Sequence, residues 1–173
     1  MPTSRKSRLL MLLLILVCTV GCDQTSKHIA RTELRQRGSV TLPGGFGEFR
    51  LAENPGSFLS LGTSLPDSLR LWLLTVAVGL GLLALAAYLT RGAQLSRSSF
   101  TGLALVWAGG TSNLIDRVAR HGLVTDFIFI RVRLLHTGIF NVADVMIMIG
   151  VAFLVCDLLK RRGNPLAKGP SDV

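Results

Sequence analysis

The sequence predicts an all-α polytopic membrane protein, with four transmembrane helices and a small periplasmic β-platform. Three observations lead there. Of its 173 residues 49% are apolar and only 17% are charged, with a mean hydropathy of +0.50, too little charge to cover a soluble domain of this size. The apolar residues are gathered into runs approaching the roughly 20 residues that cross a hydrocarbon core about 30 Å thick. The basic residues behind the net charge of +9 flank those runs, as phospholipid headgroups would favour. Aromatics are sparse, and no zinc or helix-turn-helix pattern accompanies the charge, so nucleic acid is not the expected partner.

A chain of this length holds one domain, placed at residues 1–160 with a disordered tail at 161–173. The first span, residues 9–25, follows "RKSR". The second, residues 69–90, reads "LRLWLLTVAVGLGLLALAAYLT", and the third, residues 99–116, reads "SFTGLALVWAGGTSNLID". The fourth, residues 139–159, ends on "KRR". Loops at 28–68 and 117–138 lie on one side, and the 91–98 connector lies on the other. "FGEFRLAE" alternates well enough for a strand, as does the β-branched and aromatic stretch in "LVTDFIFIRVRLLH", which together predict a small sheet on the outer surface.

Four spans put both termini on one side. Counting acids, that side carries +7 and the opposite side +2. "RKSR" and "KRR" abut their spans, where charge weighs most, so both termini are placed in the cytoplasm. Cys18, Cys22 and Cys156 all fall in apolar segments and read as small apolar side chains rather than a disulfide framework.

The informative residues are acids in apolar surroundings. Asp23 ends the first span, Asp116 the third, Asp144 begins the fourth, and Asp126 lies in "VTDFIFI". An ionisable group at a bilayer edge must be paired or solvated, so each is a candidate site residue. "NLID" (Asn113, Asp116) and "NVAD" (Asn141, Asp144) repeat one spacing, i to i+3, which puts both residues on one helix face. Gly109 and Gly110 allow a close neighbour, Arg117 offers a forked donor, and "ENPGSF" supplies an Asn-Pro-Gly turn at Asn54 to Gly56.

Several chemistries compete. His28, His121 and His136 are scattered and form no metal motif, and no G-x-S-x-G elbow is present. Lys27, with Ser26 beside it and Ser57 and Ser60 in the loop, leaves a Ser–Lys mechanism open. Two carboxylates sharing a proton in a poorly solvated site are the best-supplied option: one draws a proton from water and the other protonates the leaving amine. Which two of the four aspartates pair is left open by spacing, although the twin N-x-x-D pattern favours Asp116 with Asp144. A proton-relay transporter would want acids near mid-span, and here they cluster at span ends. A non-catalytic scaffold is the third class.

"DQTSK", "NPGSF", "GGTSNLIDR", "VTDF" and "FNVADV" occur in the order found in lipoprotein signal peptidases (signal peptidase II), and the chain resembles that family over residues 9–160. The resemblance implies a multi-pass aspartic endopeptidase of the bacterial inner membrane, its site near the periplasmic face, with no metal or other cofactor. Its substrates would be diacylglyceryl-modified prolipoproteins, cut just before the lipid-bearing cysteine. It implies Asp126 and Asp144 as the catalytic pair, in place of the pair that spacing favours. Asn113 and Arg117 would hold the substrate backbone, with Asn54, Gly56 and Asn141 lining the site. Asp116 would support it, and Asp23 and Lys27 would brace it from the first span. Two departures stand out: Ser112 where the family usually has Gly, and a stretch from Arg117 to Asp126 that is one residue longer. The chain is expected to act as a monomer in contact with phospholipid.

"LLLILVCTVGCDQTSK" also mimics a removable lipoprotein signal, with Cys22 at the cleavage position. Removal would strip one of four spans, and Thr19 fits poorly three residues before the cysteine. The segment is expected to stay in place.

Overall fold

The computed structural model describes residues 4–56, 66–91, 95–132 and 134–162. Ser57, Ser60 and most of the expected tail, from residue 163 on, lie outside them.

Helix α1 (Arg5–Arg37) starts on Ser4, whose hydroxyl accepts from the Ser7 N–H at 3.2 Å, and ends at Gly38, whose φ of 74° a side chain would disfavour. Its 33 residues span about 50 Å, well beyond the bilayer core, so the first loop begins later than residue 28. The extension was hidden because "KHIARTELRQR" is polar on average. Leu12, Thr19, Asp23, Lys27, Ala30 and Leu34 form one buried stripe at helical spacing, while Leu10, Leu14 and Val17 are exposed. A polar buried face beneath an apolar outer face is the reverse of a soluble helix and suits lipid.

Helix α2 (Ser68–Thr90) lies at the periphery, with Trp72, Leu80 and Leu83 exposed. Its winding widens to a five-residue hydrogen-bond repeat over Trp72–Ala77. Helix α3 (Arg97–Ala119), capped by Ser96, is the central element, in contact with α1, α2 and helix α4 (Val142–Arg162). Among the described residues, α1, α2 and α4 are the three helices long and apolar enough to cross a membrane. The expected third span forms a helix of 23 residues, but buried Ser112, Asn113, Asp116 and Arg117 lower its hydropathy. α4 begins at Val142 rather than 139, because Asn141 caps it.

Small residues bring α3 and α4 into backbone contact. A Cβ on Gly102 would sit 2.7 Å from the Gly150 carbonyl oxygen, and one on Gly109 would sit 2.6 Å from that of Ala143. At the far end, Leu12, Leu89, Phe100 and Ala104 form an apolar cluster.

Strands β1 (Val40–Thr41), β2 (Gly47–Asn54), β3 (Val124–Val132) and β4 (Leu135–His136) form one antiparallel sheet in that order. The two expected strand stretches are therefore present. The sheet rests on the protruding end of α1, where Ala30, Leu34 and Phe127 are buried together. A bulge between Phe49 and Ala52 shifts the β2–β3 register, so that Asn54 pairs with Val124. Val124 and Asp126 share a face, two residues apart, which brings Asn54 within reach of Asp126. Phe140 bridges to Ile128 by backbone hydrogen bonds and thereby draws the start of α4 beside β3.

Candidate active site

Asp126 is the third residue of β3 and Asp144 lies in the first turn of α4, and Asn141 reaches both. Its amide nitrogen donates to Asp126 Oδ1 at 2.6 Å, and its backbone N–H donates to Asp144 Oδ2 at 3.2 Å. In return the Asp144 N–H donates to Asn141 Oδ1 at 3.0 Å. The "NVAD" motif is thus a reciprocal helix cap: Asn141 precedes the helix instead of sharing a helical face with Asp144. The other oxygen of Asp126 accepts from Asn54 Nδ2 at 2.8 Å, and Asp144 Oδ1 accepts from Asn113 Nδ2 at 2.9 Å. Burial pushes the Asp126 carboxyl up to about 6; the Asn54 hydrogen bond opposes that shift, and the charge of Asp144 adds to it.

Asp116 belongs to a different cluster. Lys27 Nζ lies 2.7 Å from Asp23 Oδ2, 3.1 Å from Asp116 Oδ2 and 2.9 Å from Asn113 Oδ1, with no side-chain surface exposed. All three ammonium donors are therefore spent. Asp116 also accepts from the Thr125 N–H at 3.1 Å and from Gln24 Nε2 at 3.3 Å. Asp23 accepts from Ser112 Oγ at 2.7 Å and, through its other oxygen, from the Ala143 N–H at 2.9 Å. A carboxylate facing the first N–H groups of α4 suits the positive end of that helix.

Arg117 is buried, with Nη2 donating to the Gly56 carbonyl at 3.0 Å and Nε without a partner among the described residues. The Gly56 N–H in turn donates to Asn54 Oδ1 at 2.9 Å, so the Asn54–Gly56 turn is tied to both Asp126 and Arg117. Ser26 donates to the Asp23 carbonyl at 2.9 Å and is turned away from the Lys27 ammonium's partners. Every site residue expected from the sequence thus gathers at the sheet end of the helices. Gln24, Ser112 and Thr125 join them unpredicted. Gln24 sits inside "DQTSK" and Ser112 beside Asn113, so proximity to flagged residues was the available signal. The three histidines remain apart from this network, and among the described residues no three His, Cys, Asp or Glu side chains are arranged to hold a metal ion.

Two mainly apolar cavities flank Asp144. One, about 270 Å³, also touches Leu74, Asn113, Arg117 and Ile147. The other, about 560 Å³, runs along α4 past Met148 and Ile149.

A mostly helical, membrane-type chain with a small sheet and buried carboxylates opening on apolar cavities defines a membrane enzyme. The chain matches the family profile for signal peptidase (SPase) II over residues 15–160. It is 34% identical over 153 residues to the lipoprotein signal peptidase of Moorella thermoacetica, covering 88% of this chain and 95% of that one. It is 37% identical to that of Sphingopyxis alaskensis over 145 residues, 79% of this chain and 78% of the relative. A bacterial membrane enzyme solved by the in meso method at 2.3 Å superposes with a TM-score of 0.77 at 28% identity, covering 94% of each chain. The chain belongs to the signal peptidase II family and is a membrane protease.

Proposed function

We propose that this protein is an aspartic endopeptidase that removes the signal peptide from diacylglyceryl-modified prolipoproteins, cutting just before the lipidated cysteine. Asp126 and Asp144 carry the chemistry. The observation behind this pairing is that Asn141 contacts both carboxylates, whereas Asp116 is committed to Lys27, Thr125 and Gln24. The ionised member of the pair takes a proton from water as its oxygen attacks the scissile carbonyl carbon. The protonated member donates a hydrogen bond to the carbonyl oxygen and later protonates the departing cysteine amine as the C–N bond breaks.

Asn113 and Asn141 hold the carboxylates, and Arg117 holds a substrate carbonyl through its Nε, which has no partner among the described residues. Asn54 and Gly56 cover Asp126 and release it when substrate enters. Asp23, Lys27 and Asp116 brace the site. The two cavities beside Asp144 accommodate the two apolar arms of such a substrate, its signal helix and its acyl chains. α3, enclosed by α1, α2 and α4, is the fourth span. The site lies near the periplasmic face of the inner membrane, with both termini cytoplasmic, and the enzyme works as a monomer among phospholipids without a cofactor.

The test is cleavage of a lipidated precursor by purified protein, with product masses measured. Asp126→Asn and Asp144→Asn are each expected to lose about a thousandfold or more, since each removes an acid–base step, while folding is retained. Near wild-type turnover by either variant would refute the pairing. Equal rates on unlipidated precursor would refute the substrate class.

A further inference from the structure

We propose that Glu53 is a positioning residue for the catalytic pair, the fixed post from which the Asn54–Gly56 turn covers and uncovers Asp126. The inference rests on Asp126 as a catalytic carboxyl and on Asn54 as the residue that covers it. Beyond the bulge, three ladder pairs join β2 to β3: Ala52 with Asp126, Glu53 with Thr125 and Asn54 with Val124. Pro55 follows, with no N–H to extend the ladder. So short a run specifies its register weakly, and a slip of one residue would turn Asn54 to the other face of the sheet.

Glu53 adds side-chain ties at that point. Alternation along the strand turns it away from the face that carries Asn54 and Asp126. Its Oε1 lies 3.3 Å from Nη1 of Arg120, which directly follows α3, and its Oε2 accepts a long bond of 3.4 Å from the Thr125 hydroxyl. Thr125 is fully buried and held from two further sides. Arg31 of α1 donates to its hydroxyl at 3.0 Å, and its own N–H donates to Asp116 at 3.1 Å. Four elements thus meet on the residue pair next to Asn54 and Asp126. The Glu53 and Arg120 side chains are 30% and 27% exposed, so the ion pair itself adds little stability. Its effect is on position.

The turn beyond Glu53 has ties of another kind. Asn54 donates to Asp126, and the Gly56 carbonyl accepts from Arg117. Both partners are groups that substrate takes over in the proposed reaction. Opening those bonds leaves the strand end held by its ladder pairs and by Glu53. Movement is then confined to the turn, and Asn54 can return to Asp126 in register.

The test is a double-mutant cycle on the full-length protein, with cleavage of a lipidated precursor followed across pH. Asn54 favours the ionised form of Asp126, so loosening it moves the alkaline limb of kcat/KM upward. Glu53→Ala is expected to lower kcat/KM about fivefold and to move that limb in the same direction as Asn54→Ala. Added to Asn54→Ala, it should change kcat/KM by less than about twofold, because the two act through one contact. Glu53→Gln, which keeps an acceptor for Arg120, should recover most of the loss, and Arg120→Ala should move the limb as Glu53→Ala does. Melting temperatures should stay close to the parent's. Additive losses in the cycle would overturn the proposal, as would a limb that moves with Asn54→Ala but not with Glu53→Ala. A limb unmoved by Asn54→Ala itself would overturn the reading of Asp126 and this inference with it.

Discussion

Lys27 holds its ammonium 2.9 Å from the side-chain oxygen of Asn113, with no surface exposed. An ammonium only donates, so the oxygen end of Asn113 must face Lys27 and its NH₂ must face Asp144. Asn141 is oriented likewise: its oxygen accepts from the Asp144 backbone N–H, which leaves its NH₂ for Asp126. One lysine and one helix cap thereby fix the orientation of both amides that serve the carboxylates.

Replacing Lys27 with Met would take from buried Asp23 and Asp116 the ammonium that both contact. Breaking a buried ion pair this way costs about 3–5 kcal/mol. Lys27→Met is expected to melt well below the parent in detergent, and Lys27→Met/Asp116→Asn to recover part of the loss. Turnover stays low in both, because the Asn113 oxygen loses its ammonium donor and is held only by the Asn141 amide nitrogen at 3.2 Å. A Lys27→Met protein as stable as the parent would contradict this account.

Ser112 is the departure from the family pattern that gains an explanation. Its hydroxyl donates to Asp23 and accepts from Gln24 Nε2 at 3.1 Å, so it serves the ion cluster. Asp23 in turn holds the Ala143 N–H, next to Asp144. Ser112→Ala leaves a buried carboxylate one donor short, which costs about 1–3 kcal/mol. Thermal denaturation should record that loss. Kinetics should show kcat reduced several-fold with KM unchanged, since the effect reaches Asp144 and not the cavities. Unchanged stability and kcat together would mean the hydroxyl is idle.

Much of this site was legible because its residues are chemically out of place in apolar sequence: Asp23, Asp116, Asp126 and Asp144 are costly there without partners. Which two form the pair was not legible from spacing. "NLID" and "NVAD" look alike as strings, yet Asn113 lies inside α3 while Asn141 lies before α4 and caps it. A cap and a helix face share the i to i+3 spacing, and only the chain path separates them. The strands could be read from alternation, but not the bulge that delivers Asn54 to Asp126, since register depends on the partner strand. The extension of α1 was masked by a polar average over residues that bury a stripe against the sheet.

The pH dependence follows from Asp126, whose carboxyl burial raises from 3.8 to about 6 beside the charge of Asp144. The proton that the pair shares is the one Asp126 loses near pH 6. The singly protonated pair therefore persists below that pH and disappears above it. kcat/KM of the free enzyme is expected to fall on its alkaline limb with a midpoint near 6, and kcat to hold to higher pH as bound substrate excludes water. Asn54→Ala removes a donor that favours the ionised form, so its limb should move upward. Stability has the same sign: a raised folded pKa contributes stability that is complete below about 4 and lost as pH rises through about 6. Asp126→Asn should reduce that dependence. A kcat/KM limb unmoved by Asn54→Ala would rule out Asp126 as its source.

Gly109 tests whether the spacing of α3 and α4 positions the pair. A Cβ there would meet the Ala143 carbonyl oxygen at 2.6 Å and Ile147 Cγ1 at 2.8 Å. Ile147 can rotate, but the carbonyl is backbone in the first turn of α4 and yields only if the helix moves. Gly109→Ala gains helix propensity of up to about 1 kcal/mol, against roughly 1–3 kcal/mol for overpacking, so the net change in melting temperature should be a modest decrease. Activity should respond far more strongly. Asp144 follows Ala143 directly, and displacing it loosens its bonds to Asn113 and Asn141; a shift near 1 Å costs about a hundredfold in rate. Gly110→Ala is the control, because the atoms nearest its Cβ would be those of the Leu82 side chain, at 2.9 Å, which can rotate aside. Turnover near wild type for Gly110→Ala beside a large loss for Gly109→Ala is the expected pattern. Equal activity of the two variants would show that the α3–α4 spacing does not set the position of Asp144.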